Sequence, residues 1–381
     1  TTWQEIDVSC EACHGPGSAH VAWAEKSTAE KSTADVAAAR AAEPALGFPV
    51  RLRRDPAARW VRAEGEPTAR REPLLEERPE LDVCGRCHSR RSALVDTVVP
   101  GRSLHDTHRV ELLAAGLYHP DGQILDEVYV YGSFLQSKMH AAGVTCSDCH
   151  DAHSGELHLD GNLLCHGCHD PAVFDTPSHH HHPEEGPGTQ CVDCHMVART
   201  YMGVDPRRDH SFRVPRPDLS LRIGVPNACT DCHEDRDAAW ADAAVREWFP
   251  EGVSGTGHPG IVLHDARRGS PPGIASLAAV ASIEEVPAIV RASALVELAG
   301  RISREDLPTV LASVEDPDPL VRRAALGALA AHWAVFLWGE LLASRMSGAP
   351  VCGLGDAAAC AALWVSAFAS SVLCLTGLPL A

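Results

Sequence analysis

Six segments of this chain share the form Cys-x-x-Cys-His. They are Cys10–Cys13–His14, Cys84–Cys87–His88, Cys146–Cys149–His150, Cys165–Cys168–His169, Cys191–Cys194–His195 and Cys229–Cys232–His233. Two thiols at this spacing can add across the two vinyl groups of one haem, and the next residue, a histidine, reaches the iron within the same turn. The competing chemistry is zinc, since six cysteine pairs would build three four-cysteine sites. Zinc does not need a histidine straight after each pair. Here one follows all six pairs, in a chain where only 22 of 381 residues are histidine. The same repetition excludes a thioredoxin-like redox pair. The pattern therefore implies six covalently held c-type haems per chain.

Each iron needs a sixth ligand or an open face. Among the 16 histidines outside the motifs, eight are candidates for this position: His20, His105, His108, His140, His153, His179, His182 and His210. Met139 and Met202 would give His/Met ligation and a higher potential, but with four methionines in the chain bis-His ligation should dominate. His158, His166, His181, His258, His264 and His332 read as bystanders. The run His179-His180-His181-His182 is internal, between two motifs, and reads as ligands with incidental histidines. Only 14 residues separate His150 from Cys165, and 21 separate His169 from Cys191, so neighbouring haems are forced close together.

The elements that must position these residues look sparse. Residues 1–250 hold every Cys-x-x-Cys pair and 19 of the 22 histidines, and Gly and Pro interrupt them often. Short helices and long loops held by cofactors are expected. Residues 19–43, His108–Leu117 and 235–249 read as helices, the last with Trp240, Val245 and Trp248 on one side. Val128–Tyr131 is the strand-like run. Residues 251–273, rich in Gly, Pro and Ser, read as a linker. In 274–331, Val290–Leu298 aligns with Val321–Leu329 at an offset of 31 residues, which reads as HEAT-like helical repeats. Residues 332–381 form an apolar tail, with no charge from Ala357 to Ala381 and with Cys352, Cys360 and Cys374 as buried thiols. A membrane anchor, a buried helix pair and an unnatural end are the alternatives there. The expected fold is mainly α with sparse secondary structure: a multihaem domain followed by a short α-solenoid.

Composition agrees. Apolar residues make up 45% but aromatic ones only 5%, so something other than large rings is needed to fill the interior. The formal net charge is −18, and 3 of the 33 basic residues are lysine (Lys26, Lys31, Lys138), which argues against nucleic acid as a partner. Some arginines suit bidentate clamping of haem propionates.

Ser9–Ser18, Gly143–His150, Cys191–Met196 and Pro226–His233 resemble bacterial periplasmic multihaem cytochromes c with repeated Cys-x-x-Cys-His motifs, a family related to tetrahaem carriers of hydroxylamine oxidation and often ending in tetratricopeptide or HEAT-like repeats. The resemblance spans roughly residues 3–330. It implies bis-His haems and a periplasmic or cell-surface location. Such proteins usually carry further motifs upstream, so a truncated N-terminus is expected.

Three functions follow as expectations. The first is an electron carrier with redox-protein donor and acceptor, and with self-association open. The second is a multihaem enzyme acting on small nitrogen or sulfur compounds at an open haem. The third is a structural or sensing module in which haems hold the fold.

Overall fold

The computed structural model describes residues 8–28, 46–50, 52, 57–75, 77–96, 99–252, 255 and 257–347. It is mainly α, with short helices and three two-stranded antiparallel hairpins. These pair β1 (Arg59–Val61) with β2 (Arg70–Glu72), β3 (Arg91–Ala93) with β4 (His108–Val110), and β5 (Ala198–Tyr201) with β6 (Asp205–Arg208).

The core sits in the C-terminal helices Pro259–Arg267, Pro271–Ser282, Ala288–Leu298, Leu307–Ala312 and Pro319–Ser347. Leu263, Leu277, Ile289, Leu295, Leu298, Val310 and Val321 are fully buried there, together with Leu104, Val110, Leu113 and Val128 from upstream. The two copies of the internal repeat lie against each other, joined by an ion pair from Arg291 to Asp316. Polar bonds tie this layer to the upstream segment: Leu113 N donates to Ser293 Oγ (3.0 Å), and Arg323 donates to the Val110 carbonyl (2.8 Å). One core thus joins residues that the sequence divides between two domains.

Three expected elements differ. His108–Leu117 is not an amphipathic helix. It begins as β4, whose alternate residues His108 and Val110 are buried, and continues in turns. Val128–Tyr131 is not a strand. Tyr129 has φ 61° and makes a single bridge to Ser89, while Tyr131 opens the helical turn to Phe134. The linker 251–273 is helical over Pro259–Arg267, with Leu263 and Ala266 buried. Its Pro and Gly residues are helix punctuation. Pro259 and Pro271 each open a helix near its first position, and the His258 side chain accepts from Gly260 N as a cap. The 235–249 helix is present as Ala238–Trp248, capped by Asp237. The 19–43 reading is met by the helix Ser18–Thr28, and its remainder lies outside the described residues. The last helix continues past Ala331 to Ser347. The uncharged run 357–381 and its cysteines lie outside the described residues. Among the described residues no helix is long and apolar enough to cross a membrane.

Candidate metal centres

Each motif occupies one short helical turn. Cys10–His14, Cys191–His195 and Ala228–Cys232 are helices of five residues, and Cys84–His88 ends the helix Pro79–His88. In the turns of His150, His169 and His233 the histidine amide bonds the carbonyl of the first cysteine at 3.0, 2.9 and 2.9 Å. This closes the turn and brings both thiols and the imidazole to one side. Local caps start the turns. Thr145 and Asp148 form a reciprocal capping box, and Asn227 Oδ1 accepts from Thr230 N at 3.1 Å.

Four motif histidines face a second histidine. His14 faces His153 (ring centres 6.4 Å apart, planes 14° apart), His150 faces His210 (6.4 Å, 21°), His195 faces His179 (6.2 Å, 17°) and His233 faces His182 (6.1 Å, 28°). These are not stacked contacts, which bring ring atoms to ~3.5–4.0 Å. His181 on Trp248, at 4.2 Å and 7°, shows what such a contact looks like here. Two imidazoles on opposite sides of one metal, with metal–nitrogen bonds of ~2 Å and ~1.1 Å from nitrogen to ring centre, would have centres ~6.3 Å apart. The pairs match that span.

The rings are oriented from behind. Nδ1 of His195 lies 2.6 Å from the Arg213 carbonyl, Nδ1 of His182 lies 2.6 Å from the His180 carbonyl, and Nδ1 of His210 lies 3.0 Å from the Arg208 carbonyl. A carbonyl can only accept, so Nδ1 carries the proton and Nε2 keeps its lone pair for a metal. Burial, followed by the facing imidazole, lowers the pKa of His14 and of His179 and keeps them neutral, as metal ligation requires.

The other four expected ligands face no motif histidine. His20 stacks on Phe48 at 4.0 Å, and Phe48 also contacts His14 at 4.9 Å, while Nδ1 of His20 meets the Leu46 carbonyl. His105 is set among Asp82, Asp106, Asp318 and Arg323, and its Nδ1 is buried without a partner. His108 is buried in β4 with Nδ1 against Thr107 Oγ1. His140 packs edge-on to Phe134 beside Arg78. These four positions are taken up by packing against the chain itself, which spacing along the sequence does not register. Among the expected bystanders, His166 bonds Asp175 at 2.9 Å and His258 caps a helix. Met202 is 82% exposed.

The cysteines show how the motifs are ordered. Cys13 lies near Cys84 and Cys87, Cys84 lies beside Cys146, and Cys165 lies beside both Cys149 and Cys191. Cys194 lies near Cys229 and Cys232. Each contact joins consecutive motifs, so the six follow one another in space in chain order. Glu80, Cys84 and Cys146 form the one three-ligand cluster among the described residues, too few for a four-coordinate zinc site. The twelve motif cysteines form no disulfides.

A further feature bears on what fills the interior. From residue 135 to residue 216 no apolar side chain is buried, although all of these residues are described. About half of the segment is half-buried, and Leu135, Val144, Tyr201 and Phe212 pack partly buried against the main core.

No family model matches this chain, and no curated protein matches it. Among solved structures, the crystal structure of the outer cell wall cytochrome OcwA is similar at a TM-score of 0.39 and 15% identity, over 85% of this chain and 70% of that one.

Proposed function

We propose that this chain is a c-type cytochrome that carries electrons through six haems outside the cytoplasm. The observation that supports this best is the set of four imidazole pairs, each joining a motif histidine to a distant one at the span of two ligands on one metal. On this reading the twelve motif cysteines form the thioethers. His14, His88, His150, His169, His195 and His233 are the proximal ligands, and His153, His210, His179 and His182 the distal ligands of the first, third, fifth and sixth sites. Haem supplies a one-electron couple at each site.

The chain's own residues space and orient these sites. His179 and His182 lie in one run yet serve consecutive sites, so a single turn and its cap hold two sites in register. Arg71 Nη2 bridges both oxygens of Asp148 at 2.7 and 2.5 Å, locking β2 to the third motif. Trp60, under the Arg71 guanidinium, donates to the same carboxylate at 3.1 Å. The contiguous order of motifs favours transfer from one end to the other, with redox proteins as donor and acceptor. Location outside the cytoplasm follows the family the motifs resemble.

Pyridine haemochrome absorbance together with intact mass tests the reading. Six covalent haems per chain are expected. Protein carrying stoichiometric zinc and no haem would overturn it.

A further inference from the structure

Four of the six proximal histidines have an imidazole opposite them, and His88 and His169 do not. Every histidine of the chain lies among the described residues, so no histidine outside them is left to serve these two sites. His105, His108 and His140 are each surrounded by other groups, none of them a motif histidine. His20 is separated from His14 by Phe48.

The two unpaired sites differ. His169 is half-buried, with Phe174 edge-on at 5.5 Å and Thr68 Oγ1 3.4 Å from Nδ1, and Asp170 follows it. His88 is exposed, whereas the other five motif histidines are half-buried. Its motif is also basic: Arg86 lies between its cysteines, and Arg90 and Arg91 follow. The other five motifs carry Glu11, Asp148, Asp151, Asp170, Asp193, Asp231 or Glu234 in or just after them and no arginine between their cysteines; the one arginine within three residues of their histidines, Arg236, follows Glu234 and Asp235. In a chain of net charge −18, a local reversal of sign raises the concentration of small anions where they would otherwise be repelled.

Resting on the haem reading above, we infer that the haems at His88 and His169 keep a sixth position that no histidine of this chain fills, and that the one at His88 takes a small anion. Nitrite is the probe. Binding of the anion needs no electron or proton to be supplied.

The experiment uses the full chain with its haems counted first. Fewer than six haems would count against the six-haem reading itself. With six present, low-temperature EPR of the oxidised protein is expected to show high-spin ferric signal from two haems and low-spin signal from four. The reduced protein is expected to bind two equivalents of carbon monoxide. His153→Ala, which uncovers the first site, should raise this to three. Six haems with low-spin signals alone and no carbon monoxide uptake would overturn the inference and leave the haem reading intact. Nitrite titration, followed by loss of high-spin signal, separates the two sites. Arg91→Glu, at an exposed residue, should weaken nitrite binding roughly two- to tenfold and leave carbon monoxide affinity unchanged. Arg90→Gln should act in the same direction. Unchanged nitrite affinity in both variants would overturn the anion assignment.

Discussion

Residues 135–216 and the C-terminal helices are folded by different means. The helices from Pro259 onward bury Leu263, Leu277, Ile289, Leu295 and Leu298 to 0–1% exposure, and hydrophobic burial accounts for their order. The segment 135–216 buries no apolar side chain and forms no disulfide, yet it holds three of the six motifs. Its order comes from ion pairs, caps and, on the proposed reading, from haems that supply the missing apolar interior. On that reading the chain assigns its core to side chains in one region and to cofactors in another. Its low aromatic content fits that division.

Removing the attachment cysteines should separate the behaviour of the two regions most. With Cys146, Cys149, Cys165 and Cys168 changed to Ser, backbone amides of 135–216 should exchange nearly as in an unfolded chain, while Pro271–Ser282 and Ala288–Leu298 keep their protection. Hydrogen exchange read by mass spectrometry checks this, and equal protection in both regions would refute it.

Single substitutions sharpen the contrast. Arg71 and Asp148 are an ion pair with side chains 1% and 10% exposed. Arg71→Met removes the charge partner of a buried carboxylate and should cost about 3–5 kcal/mol, with a changed spectrum at the third haem. Leu295→Ala should cost about 2–5 kcal/mol and lower the helical unfolding midpoint while leaving the haem spectrum as it was. Urea unfolding followed by both circular dichroism and haem absorbance distinguishes the two.

A smaller effect is expected from pH at the junction of the regions. Burial pushes His258 down to about 4, against Asp121, which raises it, and Arg213 and Arg216, which lower it further. The folded state thus holds this histidine neutral while the unfolded chain titrates near 6.5. The sign follows: its contribution is complete above pH 6.5 and is lost as pH falls toward 4, by about 3 kcal/mol. His258→Asn retains a capping side chain and should remove that part of the pH dependence of stability, as urea midpoints between pH 7 and 4 would show.

How much was legible from residues alone follows the range of each interaction. The motif turns were legible because Cys, Cys and His sit within five positions, and a single helical turn is enough to bring them to one side. The helix Ala238–Trp248 was legible from its periodicity for the same reason. The linker reading failed at Pro259–Arg267 because Pro and Gly mark helix ends as well as loops, and only the burial of Leu263 and Ala266 separates the two cases. Distal partners were the least legible. His153 follows His150 by three residues yet faces His14, while His150 faces His210. His105, His108 and His140 have the same side chain and comparable surroundings in sequence, and they face no motif at all.

By itself, then, the sequence determined the motif turns, their number and the helical character of the C-terminal layer, because each depends on contacts within one or two turns. Tertiary structure decided which histidine faces which, that the motifs lie in chain order, that His88 and His169 face none, and that one core joins the upstream segment to the repeats. Those depend on contacts between residues far apart in the chain, whose pairing is set by packing and leaves no local pattern to read.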